Sequence, residues 1–160
     1  MREFRYFSSI TLIGFGLFYY LKSIQFAPLL PYYTWATLSI ILGISFIIQA
    51  RSGGQTDYLL PGVMFVGYGL HHYLTAKMEI IPDEWTVIFL LIALGLLLIA
   101  IKKGTGKGAG IMFLAIAIIF IFQEKIRNSL GLSPDMIQNI DKYWPLLFVI
   151  IGVLILYKKK

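Results

Sequence analysis

Six apolar runs divide the chain, at about residues 6–21, 34–50, 58–74, 85–101, 108–122 and 143–157, and none contains Asp, Glu, Lys or Arg. No other feature limits the fold so sharply. Crossing the hydrocarbon core takes a helix of ~17–25 apolar residues, and the runs approach that length. In lipid a backbone must satisfy its own hydrogen bonds, which leaves helices or a closed barrel, and the period-two alternation of barrel strands is missing. Composition agrees: 58% of residues are hydrophobic and 14% charged, against roughly a quarter charged in soluble domains. The expected fold class is an all-α integral membrane protein with six transmembrane helices, residues 1–160 forming a single membrane domain. The basic, apolar N-terminus has no small-x-small cleavage site after Leu21 and reads as a retained helix.

Basic residues give the orientation. With both termini inside, the cytoplasmic side holds Arg2, Arg5, Arg51, Lys102, Lys103, Lys107, Lys158, Lys159 and Lys160 against Glu3 and Asp57, nine positive against two negative, or +7. The outer side then holds five basic and six acidic residues, or −1, and the two sides together give the chain's +6. Positive residues concentrate on cytoplasmic loops, so an N-in, C-in multi-pass topology is expected.

The runs also repeat. Ser9-x4-Gly14-x-Gly16 returns as Gly62-x4-Gly67-x-Gly69 and as Gly110-x4-Ala115-x-Ala117. Alternate runs begin near Trp35, Trp85 and Trp144, carry Gly43, Gly95 and Gly152, and reach Arg51, Lys103 and Lys160 eight residues later. Three tandem parallel-repeat hairpins are expected, at 4–51, 57–103 and 108–160, packed as a threefold-like bundle. Small residues suit this role because apolar helices gain nothing by leaving lipid and associate through close backbone packing. The tryptophans read as interfacial anchors, and Arg51, Lys102, Lys103, Lys107 and Lys158–Lys160 as contacts to anionic headgroups. The hydroxyls of Thr37, Ser39 and Ser45 are expected to bond to their own helix or a neighbour.

Chemistry-bearing motifs are sparse. His71 and His72 align with Phe18 and Tyr19 of the first copy, which suggests amphipathic side chains at the outer boundary. Glu79, Asp83 and Glu84 share their loop and make an outer polar cluster able in principle to hold a metal or a proton. Neighbouring helical residues diverge by about 100 degrees, which works against both histidines gripping one ion. KKGTGKGAG at 102–110 is not a phosphate loop, since Gly108 follows Lys107 and position 101 is not glycine. In the longest outer loop Ser133 and Pro134 can open a short interfacial helix carrying Met136, Ile137, Ile140 and Trp144. Ion-coupled transporters, proton pumps and voltage sensors use ionised residues inside their spans, so these runs argue against all three. Zero cysteines excludes disulfides, thiolate metal sites and a cysteine nucleophile. No cofactor and no nucleic-acid partner is expected.

The third hairpin, with LG at 130–131, YWP at 143–145, Ile-Ile-Gly at 150–152 and closing lysines, resembles the LiaI/LiaF-like transmembrane region of bacterial envelope proteins. The first hairpin shares the Trp35, Gly43, Arg51 pattern and the second shares Trp85, Gly95 and the lysines. The resemblance implies a non-enzymatic plasma-membrane role in the cell-envelope stress response, where relatives anchor a scaffold or restrain a sensor kinase. The expected activity is therefore that of an anchor, scaffold or subunit binding a membrane or peripheral protein, with homo-oligomers possible in principle. The alternative is a small transporter or lipid-handling protein with a groove between hairpins.

Overall fold

A computed structural model of the chain describes residues 4–76, 78 and 83–123, together with 125, 129, 146, 149, 150, 153 and 157. Five helices make up the first of two units, residues 1–121: α1 (Arg5–Ser23), α2 (Trp35–Ser52), α3 (Leu59–Thr75), α4 (Glu84–Lys103) and α5 (Lys107–Ile121). In the second unit, 122–160, the described residues Gln123, Lys125, Ser129, Leu146, Val149, Ile150, Val153 and Tyr157 are helical. No strand occurs among the described residues.

Local chemistry sets the helix ends. The last turn of α1 closes with Phe26 N–H donating to the Leu21 carbonyl at 3.2 Å and Gln25 N–H to that of Lys22 at 3.1 Å. That pairing places Gln25 in the left-handed region, at φ +48°, a position usually given to glycine. Pro28 and Pro31 then shape a 3-10 turn over Ala27–Tyr32, and the Tyr33 hydroxyl donates back to the Leu21 carbonyl at 2.8 Å. At the start of α4, Asp83 accepts from the Thr86 backbone at 3.4 Å and from its hydroxyl at 2.5 Å. Gly104, at φ +75°, ends that helix with its N–H on the Ala100 carbonyl.

Each helix packs on the next in sequence, α1 on α2, α2 on α3, α3 on α4 and α4 on α5, and other pairs among the five touch at most marginally. Contacts run in opposite order along each pair: Phe7–Phe46 and Phe18–Tyr33 join α1 to the α2 segment, Ala36–Gly69 and Ile47–Gly62 join α2 to α3, Leu60–Gly95 and Gly67–Leu91 join α3 to α4, and Phe89–Phe120 and Leu97–Gly110 join α4 to α5. The result is an up-and-down row. Within residues 5–121 the small residues are spread to match this order. Gly43 and Ala36 of α2 face α3, Gly67 of α3 faces α4, Gly95 of α4 faces α3 and Gly110 of α5 faces α4. Small residues directed to both neighbours in the chain hold such a row together.

The interior of this row is small and polar. Ala36, Ser45, Thr86, Ala93 and Ala117 are fully buried, while Leu12 is 73% and Ile101 71% exposed. Water would penalise that distribution heavily, because large aliphatic side chains belong inside a soluble protein. Lipid does not, since acyl chains solvate leucine as well as a protein interior does. Trp35–Ser52 and Glu84–Lys103 are long and apolar enough to cross a membrane, with mean hydropathies of 1.3 and 2.5, and Lys107–Ile121 is apolar but shorter.

Candidate functional site

The row has two chemically different ends. At one, which we call the lysine end, the helix termini bring together Arg5, Arg51, Lys102, Lys103 and Lys107, all exposed. Lys103 Nζ lies 2.5 Å from Asp57 Oδ1, an exposed pair that contributes less than about 1 kcal/mol. Lys158, Lys159 and Lys160 lie outside the described residues.

Gln49 organises the same end from within, being 1% exposed. Its Oε1 accepts from the Phe7 backbone N–H at 2.9 Å, and its Nε2 donates to Gln55 Oε1 at 2.9 Å. Phe7 is the third residue of α1, so its N–H has no partner within its own helix. A side chain from α2 thus caps α1. Sequence reasoning missed Gln49, and the available signal was its place as the amide nearest the end of an otherwise apolar run.

At the other end, the histidine end, hydroxyls tie the helices. The Tyr73 hydroxyl lies 2.7 Å from Thr34 Oγ1 and 2.5 Å from Thr37 Oγ1, and Thr37 also donates to the Tyr32 carbonyl. Nearer the middle, Ser39 donates to the Phe65 carbonyl of α3 at 2.8 Å and Ser45 to the Ile41 carbonyl of its own helix at 2.8 Å.

Beside these ties, α2, α3 and α4 enclose a cleft of about 320 Å³ lined by Trp35, Tyr68, His71, His72, Thr75, Asp83 and Glu84. The Trp35 ring centroid lies 4.6 Å from that of His72 and 5.8 Å from that of Tyr68. His71 is buried, 8% exposed, whereas His72 is exposed. Both histidines face the one cleft although they are adjacent, because it wraps around that side of α3. Among the described residues no group of three His, Cys, Asp or Glu is placed to hold a metal ion. Glu79 lies outside the described residues.

The small residues divide into those that meet a neighbour and those that do not. A Cβ on Gly43 would come 2.6 Å from Val66 N and 2.8 Å from the Gly62 carbonyl; one on Gly62 would meet Ile47 and the Gly43 carbonyl; one on Gly69 would meet the Ala36 carbonyl at 2.7 Å. Gly14 faces Ile41, Gly67 faces Leu91, Gly95 faces Leu60 and Gly110 faces Leu97. Ala117 is buried. Gly16 meets open space, and Ser9 and Ala115 are exposed. Among the described residues Gly43, Gly62 and Gly69 are covered by the facing backbone and line no groove. Trp35 and Trp85 are exposed at the histidine end; Trp144 and Gly152 lie outside the described residues.

No family model matches the chain and no solved structure matches it. Among curated proteins it is similar to the uncharacterized membrane protein YsxD of Bacillus subtilis (strain 168), 24% identical over 126 residues, 79% of this chain and 76% of that one. Small and polar inside, large and apolar outside, and similar to a membrane protein, the chain is a membrane protein that is helical, without strands, among its described residues.

Proposed function

We propose that this is a six-pass protein of a bacterial plasma membrane, built from three hairpins with both termini cytoplasmic, that acts without catalysis by holding another protein at the membrane. The observation that carries this reading is the lysine end: five exposed basic residues of the described chain gather there against Asp57 alone. A cationic rim suits anionic headgroups and an acidic protein surface. The uncharged spans support an anchor over an ion-driven carrier. The resemblance to the LiaI/LiaF-like region supports a place in the envelope stress response.

Affinity purification from native membranes, with and without antibiotic stress, tests the reading. A reproducible companion protein, lost when Lys102, Lys103 and Lys107 are replaced by Glu, is the expected result. Saturable turnover or flux by the purified protein alone in liposomes would overturn it. Because the chain contains no cysteine, single-cysteine variants report topology cleanly. Ser52→Cys should label only from the cytoplasmic face and Ser23→Cys only from outside.

A further inference from the structure

We propose that the cleft at the histidine end binds an organic ammonium group. Three aromatic rings line it, those of Trp35, Tyr68 and His72, with the Trp35 centroid close to both of the others. Aromatic faces attract ammonium groups through the negative ring quadrupole, best of all at tryptophan. Asp83 and Glu84 add two carboxylates to the lining, and no lysine or arginine joins them among the described residues. The lining lies between the C-terminal turn of α3, with His72 and Thr75, and the N-terminal end of α4, with Asp83 and Glu84, so the two helix dipoles offset each other there. The aromatic rings and the carboxylates are the terms that select a cation over an anion.

His71 adds a ring nitrogen to the lining: the residue is 8% exposed and makes no hydrogen bond to any described residue, and a neutral imidazole can accept from an ammonium N–H.

An inorganic cation fits less well. Small hard ions take several oxygen ligands at short range, whereas Asp83 is already engaged by Thr86 and most of the lining is aromatic. The cleft volume of about 320 Å³ falls at the lower end of small-ligand sites, which begin near ~300 Å³. The ammonium can be the headgroup of a zwitterionic lipid or a free amine.

The test uses the full chain in phosphatidylglycerol nanodiscs, titrated with tetramethylammonium and with ethanolamine by calorimetry, against sodium chloride as the control. Saturable binding of both amines, absent with sodium, is expected. Trp35→Leu, and separately Asp83→Asn with Glu84→Gln, should each weaken it by about tenfold or more. Asparagine retains the helix cap, so the charge variant reports on binding even if the tryptophan variant folds poorly. His71→Phe should weaken ethanolamine and spare tetramethylammonium, which has no N–H to offer. Absence of saturable binding, or unchanged affinity in the charge variant with native circular dichroism, would overturn the proposal. Repeating the titration with phosphatidylethanolamine in the disc assigns the source: competition identifies the lipid headgroup and undiminished affinity a free amine. Partner capture through the lysine end is a separate measurement, so either reading can fail alone.

Discussion

The α1–α2 and α2–α3 contacts are built from the same kinds of residue and held in opposite ways. Between α2 and α3 the backbones themselves meet: Gly43 and Gly62 approach each other's carbonyls, and Gly69 lies on the Ala36 carbonyl. Between α1 and α2 the glycine contact reaches only a side chain, Ile41 against Gly14. Side chains hold that pair at its two ends instead, Gln49 on the Phe7 N–H and Tyr33 on the Leu21 carbonyl. One interface depends on the absence of side chains and the other on the reach of particular ones. They should therefore fail to different substitutions.

The largest effect is expected at Gly43→Ala. One added methyl would sit 2.6 Å from a backbone nitrogen that cannot turn away, and overpacking of that kind costs about 3 kcal/mol. Unfolding in mixed micelles by increasing SDS, followed by circular dichroism, should show the loss. If the variant is as stable as the parent, the two helices are not in backbone contact and the comparison breaks.

Gln49→Leu comes next, because it attacks the other interface and leaves the glycine seam intact. It removes the acceptor of the Phe7 N–H and the donor to Gln55, leaving buried polar groups without those partners, for about 2 kcal/mol. Hydrogen exchange sharpens the test. Amides in the first turn of α1 should exchange faster while those around Gly43 and Gly62 keep their protection.

How much of this was legible in the sequence follows from what each signal measures. Hydropathy measures the solvent of a segment, so the helical membrane character could be read from the uncharged runs. Glycine spacing marks where a helix is thin, and Gly43, Gly62, Gly69 and Gly95 each have a neighbouring helix against them. It does not name the partner: the tightest seam joins α2 to α3, across the boundary drawn at 51–57 between two repeats. It also cannot tell inward from outward: Gly16 and Ala115 fit the repeat and are exposed. Gln49 and the cleft depend on residues 42 and about 50 positions apart, from Phe7 to Gln49 and from Trp35 to Glu84, a separation that no local pattern encodes. His71 and His72 drew notice as a pair; that one is buried and the other exposed is set by the packing of α2 and α4 around α3.

Gly16→Ala isolates the edge of the row. The position faces open space, so the methyl meets no protein atom and the change should act only through helix propensity. A gain of up to about 1 kcal/mol in the same SDS titration is expected. Its sign is opposite to that of Gly43→Ala, although both positions were read from one repeat. Loss of stability would mean that something covers this face of α1.

The smallest expected effect separates the α1–α2 connection from its helices. Gln25 holds φ +48° because the two closing hydrogen bonds of α1 require it. A left-handed backbone costs a residue with a Cβ about 1–2 kcal/mol, and glycine adopts it freely but loses more entropy on folding, about 0.5–1 kcal/mol. The difference leaves Gln25→Gly more stable by about 0.5 kcal/mol. This gain should add to the loss in Gln49→Leu, since Gln25 and Gln49 sit at opposite ends of the α1–α2 pair and distant sites act independently. A double variant departing from additivity by more than about 0.5 kcal/mol would show that the two ends communicate, and that α1 docks on α2 as one cooperative piece.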